Sequence, residues 1–75
     1  MSKPTLAFCG EVTAENLKNR VIRYLEIKGY AEEAASFKSK TKNINSFSEV
    51  FNIASQYVNF RETTLDFFKS MGVID

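Results

Sequence analysis

Apolar residues recur at helical spacing along most of this chain. The first run, over residues 14–28, places four of them on one face: Leu17, Val21, Tyr24 and Leu25. Positions three and four residues apart face the same side of an α-helix. Thr13 precedes the run and can cap its free N–H groups, while Gly29 suits the left-handed residue that often follows a helix. The pattern predicts a helix over residues 14–28.

A second, shorter run predicts a helix from Ala31 to about Lys40, with Ala34 and Phe37 on one face together with the preceding Tyr30. Lysines at positions 38, 40 and 42 lie near its end, where cations complement the helix dipole. The simplest interpretation of these lysines is a solvated last turn.

The C-terminal third predicts one or two further helices. Ser46 and Glu49 have the spacing of a capping box, and apolar residues at helical spacing follow to Val58. Asn59 offers a cap for a separate fourth helix over residues 60–71, which carries Phe67 and Phe68. A single bent helix over both runs is the alternative.

The first twelve residues carry a different pattern. Pro4 and Gly10 flank a short apolar run, which predicts an extended or irregular arm whose Leu6 and Phe8 pack on the core. No alternating pattern predicts a strand beyond the first ten positions. The chain is therefore predicted to be one all-α domain of three or four short amphipathic helices. Its parts are an arm over 1–12, a helix–Gly–helix unit over 13–40 and C-terminal helices over 46–74.

The aromatic content predicts self-association. A chain of 75 residues has a large surface for its volume, and this one carries seven Phe and three Tyr. One small bundle is not expected to enclose so many rings, and a two-fold homodimer would bury those left over. The residues predicted to form the interface are Leu17, Val21, Tyr24, Leu25, Tyr30, Phe37, Phe51, Phe60, Phe67 and Phe68, with Gly29 as the structural turn.

The charge is nearly balanced overall, at +1, but unevenly distributed. Residues 18–42 hold seven basic and three acidic side chains, whereas residues 43–75 hold two basic and four acidic ones. The two halves can attract each other within a chain or between chains. A helix-turn-helix that binds nucleic acid is a weaker alternative, because Glu32 and Glu33 begin the helix that would enter the groove.

Catalysis and metal binding have few candidate residues. The sequence lacks histidine and has one cysteine, so it offers neither the commonest general base nor a Cys/His zinc site. Cys9 lies between Phe8 and Gly10 and is predicted to be a small buried hydrophobic residue. We therefore expect no enzyme activity, no metal and no cofactor. With no signal peptide or membrane-spanning run in the sequence, a lone cysteine favours a reducing, cytoplasmic location.

The spacing of residues 17–37 resembles the LisH (lissencephaly-homology) motif. The matching positions are Leu17, Val21, Tyr24-Leu25, Gly29-Tyr30, Ala34 and Phe37. The resemblance implies a helical homodimerisation module in which two chains pack their first helices together and bury the aromatic side chains. Such modules occur in microtubule-associated, centrosomal, transcriptional corepressor and ubiquitin-ligase proteins, where they mediate self-association.

The sequence thus predicts a non-enzymatic protein–protein interaction module that homodimerises through apolar helix faces and acts as an adaptor or regulator. An alternative is a small free-standing regulator of the phage type, an inhibitor or antiholin-like factor that binds another protein. The composition, rich in Lys, Asn, Ile, Phe and Ser, is typical of such proteins from AT-rich genomes. A small helical nucleic-acid binder is less favoured.

Overall fold

The computed structural model describes residues 3–8 and 10–74, and this part of the chain contains four helices and one pair of short strands. In chain order the elements are β1 (Thr5–Leu6), α1 (Ala14–Ile27), α2 (Ala31–Thr41), α3 (Phe47–Ala54), β2 (Asn59–Phe60) and α4 (Glu62–Ser70). The mostly helical class predicted from the sequence is confirmed. Cys9, predicted to be a buried hydrophobic residue, lies outside the described residues.

Helix α1 begins and ends at the predicted signals. Oγ1 of Thr13 accepts a hydrogen bond of 3.1 Å from a backbone N–H of the first turn. At the other end, the Tyr30 N–H donates to the Leu25 carbonyl at 2.8 Å and the Gly29 N–H donates to the Glu26 carbonyl at 3.1 Å. These paired bonds define a Schellman motif, in which Gly29 takes the predicted positive φ of 86°. The chain therefore changes direction at Gly29, and α2 begins two residues later at Ala31.

Replacing Gly29 by Val is expected to lower the free energy of unfolding by about 1–2 kcal/mol. A Cβ at this position would meet no atom within 4 Å, so the cost arises from the backbone conformation and not from a clash. Chemical denaturation measures the loss. Gly29→Asn is the matched control, because Asn tolerates positive φ; an equal loss for Asn and Val would contradict this explanation.

The N-terminal arm forms a parallel strand pair that the sequence analysis did not predict. β1 pairs with β2, with Thr5 opposite Asn59 and Leu6 opposite Phe60. The Asn59 N–H donates a hydrogen bond to the Pro4 carbonyl at 2.8 Å. The N–H of Arg61, the residue after β2, donates to the Leu6 carbonyl at 3.1 Å. The expectation of no strand beyond the first ten positions was wrong, because strands of two residues are too short to show alternation.

The predicted capping box at Ser46 does not form. Ser46 is the N-cap of α3, but its hydroxyl lies 3.2 Å from the hydroxyl of Ser48 and makes no bond to the helix backbone. The neighbouring hydroxyl competes for the same side-chain oxygen. Helix α3 also ends at Ala54, four residues earlier than the pattern predicts.

α3 and α4 are separate helices, and the alternative of one bent helix was wrong. A turn and strand β2 lie between them. The predicted cap Asn59 is part of β2, and its side-chain amide donates to the carbonyl of Lys3 at 3.4 Å. Helix α4 begins at Glu62, with Arg61 as N-cap. Pairing with the arm has therefore moved the start of the last helix by two residues.

The hydrophobic core takes side chains from every element. Its buried members are Leu6, Phe8, Leu17, Val21, Leu25, Ala34, Phe37, Val50, Ala54, Val58, Phe60 and Phe68. The predicted packing of the arm on the core is confirmed, since Leu6 is fully buried and Phe8 nearly so. Val73 and Ile74 also pack back on the core after Gly72, as predicted.

A single chain encloses its aromatic side chains better than the composition suggests. The seven Phe and three Tyr all lie within the described residues, and Phe67 is the one that is exposed. The expectation that some rings would be left over is met by Phe67, and the remaining rings are buried or half-buried. The arm and β2 also cover part of the core, and the prediction from the helices alone did not include them.

Candidate functional site

The predicted interface residues lie mostly inside the chain. Six of the ten are buried: Leu17, Val21, Leu25, Phe37, Phe60 and Phe68. Three are half-buried, namely Tyr24, Tyr30 and Phe51, and Phe67 is exposed. The structure thus brings nine of the ten into one core and its margin. In this conformation the buried six offer no side-chain surface to another molecule.

The arm covers part of the apolar face of α1. The hydroxyl of Tyr24 donates to the carbonyl of Thr5, and the guanidinium of Arg20 donates to the carbonyl of Ala7 at 3.4 Å. The N–H of Phe8 donates to Oγ1 of Thr64 on α4 at 3.3 Å. The arm therefore packs against the first helix and also contacts the last one.

A groove of about 720 Å³ lies between the outer sides of α1 and α2. We call it the α1–α2 groove. Its lining residues are Glu15, Lys18, Asn19, Ile22, Ala35, Lys38, Ser39, Thr41, Lys42 and Asn45. They come from residues 15–22 of α1, residues 35–41 of α2 and the segment that follows α2, because α2 turns back along α1 after Gly29.

Several residues that line the groove directly follow buried core residues in the sequence. On α1, Lys18 and Ile22 each follow a buried residue by one position. On α2, Ala35, Lys38 and Lys42 do the same. A step of one residue turns about 100° around a helix, so both rows stand on the flank next to the core face. Two such flanks facing each other make a groove with a partly apolar floor and a polar rim.

The apolar lining residues of the groove are half-buried Ile22 and exposed Ala35, and its charged lining residues are mostly cationic. Three lysines line it, against the single carboxylate of Glu15. The aliphatic stems of lysines extend an apolar floor while their ammonium groups stay in water. The groove therefore combines apolar contact area with positive charge.

A shallower depression of about 680 Å³ continues the groove along α1. The two share Asn19 and Ile22, and the depression adds Arg23, Glu26 and Ile27. Ile27 is 69% exposed, the largest exposure among the large apolar side chains of the described residues. An apolar side chain in this position enlarges the surface that a partner can cover.

A cluster of Ser36, Tyr57 and Lys40, which we call the Ser36–Tyr57–Lys40 cluster, lies on the other flank of α2. The hydroxyls of Ser36 and Tyr57 are 2.9 Å apart, and the ammonium of Lys40 lies 5.3 Å from the centre of the Tyr57 ring. The same ring packs edge-on against buried Phe37 at 5.7 Å. These contacts attach the segment after α3 to α2.

The pKa of the Tyr57 hydroxyl is expected to lie below its ordinary value. Burial raises the pKa of its hydroxyl, but hydrogen bonding by Lys40 and Ser36 and the positive charge of Lys40 together lower the pKa below 10.0. Carbon NMR of labelled tyrosine measures the titration directly. Lys40→Met should move the pKa upward, and a Tyr57 pKa at or above 10.0 in the unaltered protein would contradict this account.

Helix α4 presents an exposed apolar pair. Phe67 is 37% exposed and Met71, one turn further on, is 55% exposed. Phe68, between them in sequence, is fully buried, since adjacent residues point about 100° apart. This pair is the one exposed part of the apolar face predicted for the fourth helix.

Two structural observations concern metals and membranes. Among residues 3–8 and 10–74, no group of three or more His, Cys, Asp or Glu side chains is placed to hold a metal ion. No helix in this part of the chain combines the length and the apolar character needed to cross a membrane.

The sequence analysis did not identify the α1–α2 groove. Lys38 and Lys42 were interpreted as cations favoured by the helix dipole. The available signal was the row of residues that follows the core positions by one on both helices. These residues form a groove only because the two helices are packed with these flanks facing each other, and the sequence alone does not show that packing.

Comparisons with known proteins give no relative to guide the assignment. No protein-family model, no curated protein and no solved structure matches this chain. The resemblance of residues 17–37 to the LisH motif therefore rests on the sequence pattern alone, and the function has to be argued from the surfaces of the fold.

Proposed function

We propose that this chain is a non-enzymatic protein-binding domain that acts as a small regulator or adaptor by docking another protein on its outer surface. The observation that carries the proposal is the α1–α2 groove. The apolar faces of α1 and α2 are occupied inside the chain, and the groove on their outer side remains open to a partner.

The groove has the composition of a protein-binding surface. It offers Ile22 and Ala35 as apolar contacts, and Ile27 extends them along α1. Mixed apolar and charged lining is typical of interfaces between proteins, where a hydrophobic centre is surrounded by a polar rim. Its volume of about 720 Å³ is spread along two helices, which suits an extended partner.

Catalysis is less well supported by the same surfaces. The Ser36–Tyr57–Lys40 cluster is the nearest approach to a reactive arrangement, with a lowered tyrosine pKa. Ser36 and Lys40 are exposed, and the nearby depression, which includes Tyr57, measures only about 160 Å³. Electrostatic catalysis is strongest where water is excluded, and this cluster stands at the surface.

Capture and reconstitution test the proposal. The tagged chain is incubated with native lysate of the source organism, with and without nuclease, and any captured protein is purified separately. We expect the complex to form again from the two purified proteins with a defined stoichiometry by light scattering. Retention of nucleic acid alone, or failure of the purified proteins to associate, would overturn the protein-binding function.

A homodimer, as the LisH resemblance implies, is a second candidate. The observation in its favour is the exposed pair Phe67 and Met71 on α4. This interface would differ from the one expected from the sequence, because α1 does not contribute its apolar face. Light scattering should then give twice the mass of one chain, and Phe67→Ser should return it to the monomer.

A further inference from the structure

We infer that the occupant of the α1–α2 groove is an acidic amphipathic helix of another protein. This inference rests on the proposed function and names the chemistry of the partner. It is carried by two features together: the groove lies between two helices joined by a short turn, and its rim carries an excess of positive charge.

The shape of the groove suits a helix. α2 runs back along α1, and their other side is packed against the core and α3. Helices pack by setting the side-chain ridges of one into the grooves of another, so the open side of such a hairpin can accept a further helix. α1 has 14 residues, which at about 1.5 Å per residue span roughly 21 Å. A partner helix of three to four turns would cover this length.

The charges on the rim indicate the partner's polar positions. Lys38 and Lys42 are one turn apart on α2, and Lys18 stands on the α1 side of the same groove. A partner helix with carboxylates one turn apart can pair with the first two, and a further carboxylate can pair with the third. Its apolar side chains would meet Ile22 and Ala35 between the two rims.

The groove is less suited to nucleic acid. No aromatic side chain lines it, so bases would find no ring on which to stack. Glu15 in the groove and Glu26 in the adjoining depression would repel phosphates. Carboxylates on a partner helix can be positioned away from these two residues, whereas a phosphate backbone carries charge at every step.

A second copy of this chain is also a poor occupant. Its exposed helix α4 begins with Glu62 and carries Asp66, but Arg61 and Lys69 neutralise them. That helix therefore offers no excess negative charge to the lysines of the groove. The charge excess of the groove favours a different, more acidic chain.

Selection from a displayed library of 14-residue helical peptides tests the inference on the full chain. Enriched peptides should carry net negative charge beside an apolar stripe, and their affinity should fall as salt rises. Lys38→Glu should weaken the best peptide by roughly tenfold, a loss typical of a reversed charge at a binding surface. Lys69→Glu is the matched control, since both lysines lie in the last turn of a helix, and it should change the affinity less than about twofold.

Circular dichroism should confirm that both variants remain folded. Enrichment of basic or neutral peptides, equal effects of the two variants, or no enrichment at all would overturn the inference. If the selected peptides instead lose binding on Phe67→Ser, the groove is wrong while the protein-binding function stands. If no peptide binds and a DNA or RNA oligonucleotide binds with steep salt dependence, both proposals fail.

Discussion

Replacing Phe68 by Ala is expected to remove most of the protein's free energy of unfolding. Phe68 is fully buried, and its ring lies 5.0–5.9 Å from the rings of Phe8, Phe47, Phe51 and Phe60. Removing a buried Phe costs about 3–5 kcal/mol through lost burial and the cavity left behind. That loss is comparable to the whole free energy of unfolding of a small domain, which starts at about 5 kcal/mol.

Chemical denaturation followed by circular dichroism measures the loss. Phe67→Ala is the matched control: it removes the same side chain from the neighbouring position, where the ring is 37% exposed. We expect this control to cost about 1–2 kcal/mol, because the ring is only partly buried and less apolar surface returns to water. Similar losses for the two variants would show that the aromatic cluster is not centred on Phe68.

Leu25→Ala is expected to cost about 2–5 kcal/mol. Leu25 is 1% exposed on the core face of α1, and its carbonyl accepts the Tyr30 N–H in the Schellman motif. Ile27→Ala is the control on the same helix, because Ile27 is 69% exposed and should change the free energy of unfolding by less than about 0.5 kcal/mol.

The protein concentration separates two origins of the Leu25 effect. If the side chain is buried within one chain, the free energy lost should be the same at all concentrations. If it is buried between two chains, the melting temperature should rise with concentration and Leu25→Ala should abolish that rise. A concentration-dependent melt sensitive to Leu25 would contradict the packing of α1 described above.

The first two helices could be predicted from the sequence because local signals agree there. Thr13 caps α1, Gly29 ends it with positive φ, and Leu17, Val21 and Leu25 form its core face. Each of these signals acts within a few residues, so no knowledge of the fold is needed. The same consistency explains why α2 has nearly the predicted bounds.

The C-terminal part could not be predicted equally well because it depends on the arm. Strand β2 exists through its bonds to Pro4 and Leu6, which are more than fifty residues away in sequence. Considered locally, Asn59 has the sequence context of a helix cap, but its backbone pairs with the arm instead. Long-range pairing of this kind leaves no signal in a short stretch of sequence.

The interface was predicted from the helices alone, without these long-range contacts. Val21, Leu25 and Phe37 form an apolar face that is typical of a partner-binding helix pair. The arm and α3 cover this face within one chain. The groove on the outer flank could not be anticipated, because its positive rim combines residues of two helices whose relative placement is set by the core.

Static light scattering from micromolar to millimolar concentration tests the account most directly. The central claim is that one chain closes its own core and leaves the α1–α2 groove for a different protein. We predict a mass of 8.5 kDa across this range. A mass twice that value, reduced to 8.5 kDa by dilution, would contradict the claim and restore the homodimer as the working form.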